Sequence, residues 1–114
     1  MVWEPEAALA AMYPRLPGET ARRLASRLRP GAAAAGAYPL TEHPDVATAL
    51  IYTSDDEFFT PEWERFVARE LLAIEPIELP GGHFPMIEGP DALAQLLDSL
   101  AAPLTQTGEA GDSR

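Results

Sequence analysis

The chain has no cysteine, no lysine, no apolar run of membrane-spanning length and no serine set between glycines. Without cysteine there are neither disulfides nor thiolate zinc sites, so the fold must be held by packing and the compartment leaves no redox mark. A bilayer span needs about 18 consecutive apolar residues, and none is present. The segment Met1-Val2-Trp3-Glu4-Pro5-Glu6 carries acid where a signal peptide carries base. A cytoplasmic chain that neither crosses nor anchors to a membrane is the expectation. Ser26, Ser54, Ser99 and Ser113 all lack the Gly-x-Ser-x-Gly surroundings of a nucleophile elbow.

The 114 residues allow one domain at most, and a domain of this size buries only about two thirds of its unfolded surface. Acidic residues number 18 against 8 basic ones, for a net charge of −10. All the basic residues are arginines, and Arg15, Arg22, Arg23, Arg27 and Arg29 precede Pro30, leaving the remainder strongly acidic. Such a remainder repels phosphate backbones and anionic lipid, which argues against nucleic acid or membrane as partner. Arg22, Arg23, Arg27 and Arg29 read as the solvated side of one helix.

Leu9, Met12 and Tyr13 at helical spacing behind Pro5 predict a helix over 5–13, broken by Pro14 and Pro17-Gly18. Ala21, Leu24, Ala25 and Leu28 predict a second over 19–29, making a helical hairpin within 1–30. The Ala/Gly/Pro-rich stretch 31–45 reads as a linker. Val46 to Thr53 is an uncharged apolar run, expected as a strand covered on both faces. Thr60, Pro61 and Glu62 supply a helix start, and Trp63, Phe66, Val67 and Leu71 form an apolar stripe toward Ala73, expected in the core. A short strand follows over 75–79, then Pro80-Gly81-Gly82, then a final helix from Pro90 with Leu93, Leu96, Leu97 and Leu100 inward. Residues 103–114 are expected to be a disordered tail. No repeat is present. The segment 46–102 is thus a βαβα unit, predicting a parallel sheet with a right-handed crossover.

That order puts Asp55-Asp56-Glu57 after the first strand and His83 after the second, at the carboxyl edge where open α/β sheets gather ligands. A general-base imidazole needs a carboxylate on its other nitrogen to fix its tautomer and stabilise imidazolium, and Asp56 with His83 fits that couple. Gly81 and Gly82 permit a sharp turn that projects the ring, with Phe84, Met86 and Ile87 expected to shield it. The same residues also fit a loop histidine beside a solvated acidic turn. His43 has no companion ligand, and Asp55-Asp56-Glu57 lacks the glycine and distal glutamate of a calcium loop, so neither metal nor cofactor is expected.

Ile51-Tyr52-Thr53-Ser54-Asp55-Asp56-Glu57-Phe58-Phe59-Thr60-Pro61-Glu62-Trp63, followed by Ile77-Glu78-Leu79-Pro80-Gly81-Gly82-His83-Phe84-Pro85-Met86, resembles the C-terminal part of the α/β-hydrolase superfamily, in particular its methylesterase and hydroxynitrile-lyase branch. The resemblance covers residues 46 to about 101. It implies the last two parallel strands of a partial α/β-hydrolase fold with flanking helices, the hairpin at 5–29 being similar to the cap region inserted between core strands. The triad acid and histidine of that family fall on Asp56 and His83, leaving Asp55 as a solvated neighbour. Thr53 stands where many relatives carry glycine. The larger departure is the missing elbow and oxyanion loop, which in the family lie on earlier strands, so the polypeptide is expected to begin inside the cap.

The resemblance implies a carboxylic-ester hydrolase contributing Asp and His of a Ser-His-Asp triad, inactive alone, with a small-molecule ester as substrate once an N-terminal half completes it. A lyase using the same pair for proton transfer and a small acidic interaction domain are the alternatives. Two strands cannot cover so apolar a segment, so self-association through exposed apolar sheet is also expected.

Overall fold

The structure, a computed structural model, describes residues 4–32, 36–37 and 39–109, with 104–109 described by backbone path alone. The expectations for 1–3, for 33–35 and 38 of the linker and for 110–114 of the tail lie outside the described residues.

The described chain is mixed α/β, with two parallel strands and several helices. Helix α1 (Pro5–Met12) has proline in its first turn and leads into α2 (Gly18–Ala25). The two pack through Ala8, Tyr13, Ala21 and Ala25, with Leu9, Met12, Leu16, Leu24 and Phe84 half-buried around them. Helix α2 ends four residues before the expected Arg29. The Ser26 hydroxyl donates to the Arg23 carbonyl, and the amides of Arg27 and Leu28 donate to the carbonyls three residues back, which tightens the chain out of α geometry.

Strand β1 (Ile51–Thr53) pairs in parallel with β2 (Ile77–Leu79), in the register Ile51↔Ile77, Tyr52↔Glu78 and Thr53↔Leu79. The expected eight-residue strand is therefore three residues long. The ladder begins at the Ile77 amide, which donates to the Leu50 carbonyl. Upstream, Val46 and Thr48 turn to local bonds, Val46 N–H to Pro44 O and Thr48 hydroxyl to Val46 O, and Val46 is 63% exposed.

Helix α3 (Pro61–Phe66) opens on Thr60, whose hydroxyl accepts from the Trp63 amide at 3.4 Å. It widens into a π-helical turn over Val67–Leu71 and is closed by Ala73 at φ 55°, with the Ile74 amide reaching back to the Ala68 carbonyl. Arg65 lies over the Tyr52 ring and donates to its hydroxyl at 3.3 Å, fastening the helix to β1. The stripe expected in the core is bare: Trp63, Phe66 and Leu71 are exposed and only Ala68 is buried. The short helix α4 (Pro85–Glu88) follows the histidine, and α5 (Pro90–Glu109) runs past Pro103, where an unstructured tail was expected. A mid-helix proline removes one backbone bond, and the Leu100-Ala101-Ala102 run of strong helix formers carries the helix into it. Leu97, expected inward, is exposed, whereas Leu93, Leu96 and Leu100 are half-buried.

No large side chain among the described residues is fully buried. The accessible surface is 8703 Å², against roughly 6,100 Å² for a compact monomer of this mass. The radius of gyration is 17.3 Å, against about 13 Å for a compact domain of this length. Val46, Trp63, Phe66, Leu71 and Met86 are among the large apolar side chains left exposed.

Candidate functional site

The carboxyl ends of β1 and β2 are joined by backbone bonds beyond the ladder, Ser54 N–H to Leu79 O at 3.0 Å and Asp55 N–H to Gly81 O at 2.9 Å. This splices the loop after each strand to the other. Asp56 is aimed by its own loop: Oδ1 accepts the amides of Phe58 at 2.8 Å and Phe59 at 3.0 Å, an Asx-type turn that fixes the carboxylate plane. Its second oxygen faces His83, whose Nδ1–H donates to Oδ2 at 2.9 Å. A carboxylate only accepts, so the contact places a proton on Nδ1, and in the neutral ring Nε2 then carries the lone pair.

The pair is largely withdrawn from water, with side-chain exposures of 19% for His83 and 9% for Asp56. Phe58, Phe59 and Phe84 surround the imidazole, with ring centroids 4.7, 5.6 and 4.8 Å away. The shield therefore comes largely from Phe58 and Phe59, whereas Ile87 points outward and Met86, half exposed, borders the cleft. Thr53, Asp56, Glu64, His83 and Met86 line an open cleft of about 220 Å³. Glu64 is the residue that sequence reasoning missed: burial first, then the charge of Asp56, pushes its carboxyl above the ordinary carboxylate range, while His83 pulls the other way. Its only sequence signal is its place in the first turn of the helix after the acid.

Asp55 is exposed, as expected of a solvated neighbour, but it is also paired. Its Oδ2 lies 3.2 Å from Arg15 Nη1, and Arg15 Nε donates to Glu88 Oε1 at 3.1 Å. The same Glu88 oxygen accepts the Gly82 amide at 3.3 Å. A Cβ at Gly82 would come within 2.8 Å of both Arg15 Cδ and Glu88 Oε2, so any side chain there would push these two side chains aside. Gly81 has a different reason, φ 130°, which side chains resist. A larger hollow bounded by Arg15, Pro80, Gly81 and Glu88 lies behind this loop, and its charged groups are already paired with one another.

Among the described residues no group of three or more His, Cys, Asp or Glu side chains is placed to hold a metal ion, and no helix is long and apolar enough to cross a membrane. Chemically, the arrangement is an imidazole oriented by a buried carboxylate, able to accept a proton at Nε2 and to be stabilised as imidazolium. No family model, curated protein or solved structure matches the chain.

Proposed function

We propose that this chain is the C-terminal part of an α/β-hydrolase of the carboxylic-ester type, supplying the acid Asp56 and the histidine His83 of a Ser-His-Asp triad. On this reading the helical hairpin derives from the cap. One observation carries it: Asp56 and His83 meet at 2.9 Å from the carboxyl ends of adjacent parallel strands, through Nδ1 and with Nε2 left to act as base. Loss of one triad member lowers turnover by about four to six orders of magnitude, on the order of 6 to 8 kcal/mol. The chain offers neither elbow nor oxyanion loop, so by itself it is inactive.

The test uses an activated aryl ester with the chain and with His83→Ala. Equal, background-level rates are expected, and turnover that disappears with His83→Ala overturns the inactivity. Co-expression with the segment encoded immediately upstream is expected to restore His83-dependent turnover if that segment carries Gly-x-Ser-x-Gly. An upstream region without such a motif defeats the hydrolase reading. The 8703 Å² surface with exposed Trp63, Phe66, Leu71 and Met86 favours a second reading, a small acidic interaction domain in which the couple is incidental.

A further inference from the structure

The guanidinium of Arg15 touches the neighbours of both members of the couple. One nitrogen holds Asp55, the residue before Asp56, and another holds Glu88, whose bonded oxygen also takes the amide of Gly82, the residue before His83. Arg15 belongs to neither strand loop; it lies in the turn between α1 and α2. Two residues earlier, the Tyr13 ring stacks on Phe84 at 4.8 Å and 25°, and Phe84 in turn meets the His83 ring edge-on. The hairpin therefore reaches the imidazole from both sides in sequence, through Gly82 and through Phe84.

We propose that Arg15 is a positioning residue of the site, a single cation that clamps the acid-bearing loop to the histidine-bearing loop and makes the hairpin part of the machinery that sets the Asp56–His83 contact. The physical basis is the division of its donors. Arg15 presents a planar fork of fixed geometry, so binding Asp55 through Nη1 and Glu88 through Nε fixes the separation of the two loops as well as attracting them. Glu88, 15% exposed in its side chain, transmits that geometry to the Gly82 amide. Lysine at this position would supply the charge without the fork.

This inference builds on the reading of Asp56 and His83 as a working pair and requires no hydrolysis. The decisive measurement is the slowly exchanging, downfield Nδ1 proton of His83 in the intact chain, with the exposed His43 as internal reference. Asp56→Asn is expected to abolish that signal. Arg15→Met keeps the stem and removes the fork, and is expected to broaden the signal beyond detection or speed its exchange at least severalfold, while Arg15→Lys recovers part of the protection. Glu88→Gln attacks the clamp from the opposite side without touching the hairpin, and is expected to act in the same direction. It decides the case if Arg15→Met fails to fold. An unchanged His83 signal in folded Arg15→Met, or in Glu88→Gln, overturns the clamp. A signal indifferent to Asp56→Asn overturns the couple itself, so the two failures are distinguishable.

Discussion

Tyr13 and Phe84, 71 residues apart in the chain, stack with ring centroids 4.8 Å apart and an interplanar angle of 25°. This contact places a side chain from the histidine loop in the small core of the hairpin, so the hairpin and the strand unit share packing as well as the Arg15 ion pairs. Truncation at either ring should be felt at the other. Tyr13→Ala is expected to cost about 3 kcal/mol or somewhat more, in the range of large aromatic truncations, and to lower the urea midpoint of hairpin and sheet together. A midpoint unchanged for the strand unit would show that the two parts are energetically separate.

Ala73 closes the π-helical turn in a left-handed conformation that its Cβ opposes. Ala73→Gly is expected to stabilise the chain by up to about 1 kcal/mol, the relief of that strain less the added entropy of the unfolded chain. Equilibrium denaturation decides it, and a destabilised Ala73→Gly variant would contradict the assigned φ.

Glu64 supplies a pH dependence of known sign. Its carboxyl is held above the ordinary value of 4.5 by burial and by Asp56, so the folded state binds its proton more tightly than the unfolded state does. The stability this residue contributes is fully present below the unfolded value and is lost as pH rises through the raised folded one. Glu64→Gln removes that loss, so the advantage of the variant over the parent should grow with pH across this window. Denaturation midpoints at a series of pH values measure it, and parallel curves for the two proteins would refute the assignment.

Trp63 and Phe66 stack at 5.5 Å on an exposed helix face, at 51% and 47% exposure. A hydrophobic dye is expected to bind the intact chain, and Trp63→Ser with Phe66→Ser should reduce that binding at least twofold. A monomer with a sharp thermal transition and no dye signal would mean that this surface is covered in solution.

The order of elements was readable because proline and glycine punctuate the chain so heavily: Pro61 starts α3, and Pro80-Gly81 ends β2. That an acid and an imidazole reach one edge follows from the parallel crossover alone. The length of β1 was not readable, since the apolar run from Val46 describes what a strand would bury, whereas Val46 and Thr48 turn to local bonds and only Ile51–Thr53 pairs. The Trp63–Leu71 stripe erred for a related reason: periodicity shows which face needs cover but not whether any element supplies it. Arg15 left no local trace either, because its partners lie 40 and 73 positions away and its exposed neighbours look like ordinary helix-surface charge.

The two-stranded sheet is also asymmetric along its own length. Backbone bonds run from Leu50 through the ladder and on to Gly81, all toward the edge that carries the acid and the histidine, while the opposite end has none. Fraying should therefore begin at the Ile77–Leu50 bond and travel inward like a zipper, so that amides of Ser54 and Asp55 exchange with solvent last. The end held last is the one that carries Asp56 and His83.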